Sequence, residues 1–125
     1  MKKAMNLRGR SWAGAFFLAV LVLMVAGPAK AQKGNAANGQ KLFEDKCIKC
    51  HDKDGSAGTA FGKALKAADL RSADVQKKTD ADFYAQIDKG KGNMPPFGNG
   101  LDKSQIEDLI AFVRQLGKSG DAKKH

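Results

Sequence analysis

Cys47 and Cys50 are the only cysteines in the 125-residue chain, and His51 follows the second directly. Two thiols at i and i+3 near a helix end lie on one side of the chain. Each can add to one of the two vinyl groups of a haem. The adjacent imidazole can then place a nitrogen under the iron as an axial ligand. Cys47-Ile48-Lys49-Cys50-His51 therefore has the spacing of a c-type haem attachment motif, with His51 as proximal ligand. Three other uses of these residues compete. A thioredoxin-like dithiol would sit between a strand and a helix, and no strand pattern precedes Cys47. A zinc site needs more ligands, and the one other histidine, His125, stands at the far end of the chain. A plain disulfide would close too short a loop to constrain the unfolded chain much, and it leaves His51 without a role.

A second axial ligand is sought among the four methionines, and the N-terminal segment decides which remain. Lys2, Lys3, Arg8 and Arg10 form a basic start. An apolar run over residues 13–26 follows, then the helix-breaking Gly27-Pro28 and the small residues of Ala29-Lys30-Ala31. This is the three-part pattern of a secretory signal peptide, with cleavage predicted between Ala31 and Gln32. The run is shorter than the roughly 20 residues a spanning helix prefers, so a cleaved leader is expected rather than a retained anchor. Met1, Met5 and Met24 leave with it. Met94 is then the only methionine of the exported part, in Gly90-Lys91-Gly92-Asn93-Met94-Pro95-Pro96-Phe97. The glycines permit unusual backbone angles, while Pro95 and Pro96 stiffen the segment and hold Met94 extended. A thioether on such a loop is a better axial ligand than a core gap-filler. His125, lysines and water are its competitors.

Removal of the leader also changes the charge. Five of the 22 basic residues lie in residues 1–31 and no acidic one does, so 17 remain against 13 acidic residues, a net charge of +4 in place of +9. Nucleic acid is not an expected partner of so mixed a surface. A domain this small buries a limited core, and a large apolar prosthetic group would supply what the side chains do not. The expected layout is a signal peptide over residues 1–31, one domain over residues 32–117 and a mobile polar tail over residues 118–125.

The elements that must hold these residues read as all-α. A first helix is expected from Asn35, its N-cap, to Cys50. Gly39 and Phe43 share one face of it, and the cost of a mid-helix glycine makes sense if another helix crosses closely there. Residues 52–78 are Gly- and Ala-rich, with short helical turns at best. A second helix is expected over residues 80–89, with Thr79 as N-cap, Phe83 and Ile87 as an apolar pair, and Gly90 closing it. The third begins with a capping-box pair, Asp102 and Gln105. It continues through Ile106, Leu109, Ile110, Val113 and Leu116, with Phe112 widening the stripe, and ends at Gly117.

With these residues in place, the sequence resembles the class I c-type cytochromes over essentially the whole exported part. Cys47, Cys50 and His51 match the family's attachment motif, and Met94-Pro95 its distal ligand loop. Gly39 and Phe43, with Leu109 and Phe112, resemble its crossing of N- and C-terminal helices. The stretch from Gly90 to Leu101 looks like the small soluble cytochromes of bacterial respiration and photosynthesis. The resemblance implies the cytochrome c fold: three main helices and short turns around one covalently bound haem c, its iron held between His51 and Met94. One departure stands out. Many members have a proline after the attachment motif whose carbonyl accepts the proximal imidazole's hydrogen bond, and residues 52–78 contain no proline. A carbonyl near Thr59 to Gly62 is expected to substitute.

A six-coordinate iron has no open site for substrate, so the expected function is not enzymatic. It is transfer of single electrons between redox partner proteins by a monomer in the periplasm, without stable membrane insertion once the leader is cut. Leu65, Leu70, Phe83, Ile87 and Phe97 are expected wall residues, and Tyr84 a candidate partner of a haem propionate. Lys46, Lys49, Lys53, Lys89 and Lys91 flank the two haem-binding segments and could steer docking to acidic surfaces. Two alternatives stay open: a haem enzyme or gas sensor with a labile Met94, and a docked subunit of an oxidase or dehydrogenase complex.

Overall fold

The computed structural model describes residues 33–122, so the signal-peptide segment and His125 lie outside the described residues. Six helices follow in order: α1 (Ala36–Lys46), α2 (Ile48–His51), α3 (Ala60–Ala64), α4 (Ala73–Gln76), α5 (Asp80–Lys89) and α6 (Lys103–Ala122). The described residues contain no strand, only a single antiparallel bridge between Lys91 and Met94. None of their helices is long and apolar enough to cross a membrane.

The caps fall where the sequence places them. Asn35 Oδ1 accepts from the amides of Ala37 and Asn38. Thr79 and Asp82 form a reciprocal capping box at the start of α5, and Asp102 and Gln105 exchange two bonds of 2.9 Å at the start of α6. Each satisfies amides that a helix start leaves without partners.

The core is the crossing of α1 and α6. Phe43, Ile106 and Leu109 are its most completely buried large side chains, and the rings of Phe43 and Phe112 lie 5.2 Å apart. Gly39 makes the approach possible, because a Cβ there would stand 1.9 Å from the Asp108 carbonyl oxygen. Asp108, itself buried, accepts a hydrogen bond from the Asn35 amide and ties α6 to the start of α1.

Two boundaries differ from expectation. The first helix does not run unbroken to Cys50. It breaks at Cys47 (φ −114°, ψ −29°), resumes as α2, and ends where Asp52 turns to φ +61°. The last helix does not end at Gly117 but continues to Ala122. Gly117 lies against the Gln76 side chain and Gly120 against Arg71, so these glycines serve close packing rather than termination. Gln76 secures that contact by donating to the Val113 carbonyl at 3.0 Å.

Candidate cofactor site

One cleft opens between these elements, about 650 Å³ counting the space at its mouth. Phe43, Cys47 and His51 line it from α1 and α2, and Leu109 and Val113 from α6. Ala68, Leu70 and Val75 close another side, and Phe83, Gln86 and Ile87 of α5 another. Met94, Phe97 and Leu101 of the following loop complete the wall, with Lys46 and Lys78 as its charged members. Such a mostly apolar cleft with a few convergent polar groups is how small-molecule and cofactor sites are built. Of the five expected wall residues, Leu70, Phe83, Ile87 and Phe97 line it and Leu65 does not. Tyr84 packs half-buried against the hydrophobic core, outside the cleft wall.

His51 reaches the cleft from the end of α2 and is 9% exposed. Its Nδ1 lies 3.1 Å from the Ala68 carbonyl oxygen. Burial pushes its pKa below the ordinary imidazole value, and the Ala68 carbonyl opposes that shift. A neutral ring that donates through Nδ1 keeps its lone pair on Nε2, which is the state a metal-binding imidazole needs. The acceptor is therefore Ala68, not a carbonyl in residues 59–62. That earlier segment instead packs beneath the attachment motif. Thr59 Oγ1 donates to the Lys49 carbonyl at 2.8 Å, and a Cβ on Gly62 would stand 2.0 Å from the Cys50 carbonyl oxygen.

Both cysteines are unbridged and half-buried. Cys47 lines the cleft, while Cys50, one residue before His51, does not. The Cys47 pKa is pushed up to about 12, chiefly by burial, with Lys46 pulling the other way. Burial thus favours the neutral thiol at Cys47. No group of three potential metal ligands occurs among the described residues.

Met94 enters from a loop whose form follows its glycines and prolines. Gly90 turns at φ +74° and Gly92 at φ +59°. Lys91 and Met94 exchange two backbone hydrogen bonds of 3.0 Å. Asn93 Nδ2 donates to the Leu65 carbonyl at 3.1 Å, and the Phe97 amide to the Ile87 carbonyl at 2.9 Å, so both flanks are anchored. The thioether sulfur accepts from Gln86 Nε2 at 3.7 Å. Sequence reasoning missed Gln86. It stands three residues after Phe83 on α5, so a polar residue on the cleft-facing side was the available signal. His51 and Met94 thus share one apolar cleft with the Cys47 thiol. The donor set, a cysteine pair, a neutral imidazole and a thioether, fits a covalently held haem.

Several known proteins are similar to this chain. Residues 34–113 match the family described as cytochrome c oxidase, cbb3-type, subunit III. Cytochrome c6 of Gloeothece citriformis is 33% identical, over 82% of this chain and 91% of its own length. Cytochrome c6 of Rippkaea orientalis is 37% identical over 73% of this chain and 78% of its own. Among solved structures, the KustC0563 c-type cytochrome superposes with a TM-score of 0.59 at 32% identity, covering 62% of this chain and 95% of that one. The helices, the crossing and the cleft are those of a cytochrome c fold, and the chain belongs to the small class I c-type cytochromes.

Proposed function

We propose that Cys47 and Cys50 would hold a haem c through two thioethers, that His51 and Met94 would ligate its iron, and that the protein carries electrons rather than catalysing a reaction on a substrate. The supporting observation is that His51, with Nδ1 committed to Ala68, and Met94, on an anchored loop, line one cleft. When bound, the haem supplies an iron that gains and loses one electron. The chain does the rest. The Ala68 carbonyl orients the imidazole and increases its basicity. A thioether ligand and an apolar wall both raise the reduction potential, the wall by disfavouring the ferric charge. Phe43, Phe83, Ile87, Phe97 and Leu109 exclude water from that wall.

Membership of this family makes the protein a single-electron shuttle between redox partners. A monomer exported to the periplasm, free of nucleic acid and not inserted in the membrane, is the setting that suits the leader read in residues 1–31. The experiment is intact mass of the exported protein together with absorption spectra of both oxidation states. A mass of residues 32–125 plus one haem, with the spectrum of His/Met ligation, is expected. Ready binding of carbon monoxide by the reduced protein, with a spectrum unaltered in Met94→Ala, would overturn the ligand assignment and favour a haem enzyme or sensor. The family's description as an oxidase subunit favours a second reading, a docked electron-transfer subunit. Co-purification with a membrane oxidase would support it.

A further inference from the structure

A haem carries two propionates on the ring edge opposite its two vinyl groups. An otherwise apolar cleft must give these carboxylates a cationic partner or leave them to water. Two cations stand in the wall, Lys46 and Lys78. Lys46 directly precedes the thioether position Cys47, and its Nζ is already 3.0 Å from Asp45. Lys78 is different in three ways. It lies just before α5, whose backbone does not closely approach α1 or α2, the helices beside the cysteines. It forms no direct ion pair among the described residues; its Nζ meets Gln86 Oε1 at 3.5 Å, and Asp82 lies only within its longer electrostatic reach. Its backbone is fixed. Arg114 Nη2 donates to the Lys78 carbonyl at 2.6 Å and Nη1 to the Gln76 carbonyl at 2.7 Å, while Nε and Nη2 both bind Asp80 Oδ1. The same guanidinium covers the Phe83 ring at 4.6 Å, and Phe83 is itself part of the wall.

A half-buried cleft-wall lysine whose ammonium is in no direct ion pair, on a pinned backbone, is a preorganised anion partner. Resting on the haem c reading above, we propose that Lys78 neutralises a propionate carboxylate of the haem, and that Arg114 is the residue that positions it. Beyond neutralising the carboxylate, a fixed positive charge there favours the ferrous state, because the oxidised iron carries one more positive charge.

The test compares haem-loaded wild type with Lys78→Gln, Lys78→Glu, Lys78→Arg and Lys89→Gln by spectroelectrochemistry. Lys89 belongs to the neighbouring outer groove but not to the cleft wall, so it reports generic surface charge. With the applied potential at the wild-type midpoint, the reduced-to-oxidised ratio should fall about three- to tenfold in Lys78→Gln. It should fall further in Lys78→Glu, recover in Lys78→Arg and change least in Lys89→Gln. If Lys78→Gln fails to retain haem, full loading and wild-type potential in Lys78→Arg support the proposal, and loss of haem in both overturns it. A loaded wild type whose ratio is unmoved by Lys78→Gln and Lys78→Glu, or moved equally by Lys89→Gln, refutes the role of Lys78 and leaves the haem reading standing. A wild type without covalent haem removes both.

Discussion

Gly39→Ala is the sharpest perturbation the helix crossing offers. The added Cβ would lie 1.9 Å from the Asp108 carbonyl oxygen and 2.5 Å from its carbon, where ordinary contact begins at about 3.4 Å. The helices must therefore separate by about 1.5 Å at that point, since a backbone carbonyl has no rotamer to escape into. Separation loosens the Phe43–Phe112 contact and the packing of Ile106 and Leu109, because gaps of this size forfeit much of the dispersion between facing atoms. Overpacking of this kind costs up to about 3 kcal/mol. Against it stands the gain from replacing a helical glycine with alanine, about 1 kcal/mol. The clash wins, by about 2 kcal/mol. For a domain of this size that lowers Tm by about 8–16 °C. Thermal unfolding of the haem-loaded protein, followed in the far ultraviolet, measures it. Asn38→Ala, one position away on the exposed side of α1, is the matched control and should leave Tm unchanged or slightly raised. A Gly39→Ala protein as stable as wild type would mean that the crossing yields without cost, and that glycine is not what sets its distance.

Two further outcomes are expected. The Asp82 carboxyl is held below the usual carboxylate range, first by the Thr79 hydroxyl and then by the Thr79 amide. A carboxylate with a depressed folded pKa contributes stability above its unfolded value of about 3.9 and loses it as pH falls through the folded value. Asp82→Asn should thus lower Tm at neutral pH, with the gap to wild type closing below about pH 4; a gap independent of pH would refute the assignment. Lys49, whose Nζ lies 4.9 Å from the centre of the exposed Phe61 ring, and Lys91, in the Met94 loop, belong to the two segments proposed to hold the haem. If they steer anionic partners, stopped-flow oxidation of the reduced protein by ferricyanide should slow as salt rises, and Lys49→Gln with Lys91→Gln should flatten that dependence. A salt dependence identical in the double variant would rule them out.

The parts of this molecule that were legible in the sequence are those where residue type dictates geometry. Thr79 and Asp82, or Asp102 and Gln105, mark helix starts because only side chains with oxygen in reach can satisfy the free amides. Gly39 marks the crossing because only a missing Cβ admits a carbonyl. The shaped loop that brings Met94 to the cleft was legible because glycines and prolines surround that residue. Gly117 misled for the opposite reason. Its chemistry allows either termination or close approach, and the neighbour that decides, Gln76, is forty-one positions earlier in the sequence. Leu65 was drawn into the cleft by residue type alone, and nothing in its local pattern says which way its segment faces.

The acceptor behind His51 lies beyond that kind of legibility altogether. Every residue has a carbonyl, so the identity of Ala68 carries no information about its role. What places it is the path of the loop. Asp52, Ala57 and Lys66 turn at φ of +61°, +56° and +56°. Between them the Ala57 amide returns to the His51 carbonyl, the Ala67 amide to Gly62, and the Leu70 amide to Gly55. Where a proline would have fixed φ at one point, this chain folds the segment back on itself with several backbone bonds, three of its turns held by non-glycine residues in a region that costs energy. That cost is offset only if the loop closes as a unit. Orientation of the imidazole is consequently a cooperative property of residues 52–70 rather than of one residue. A change elsewhere in the segment, such as at the Gly62 approach to the Cys50 carbonyl, reaches the His51 imidazole through the same closure.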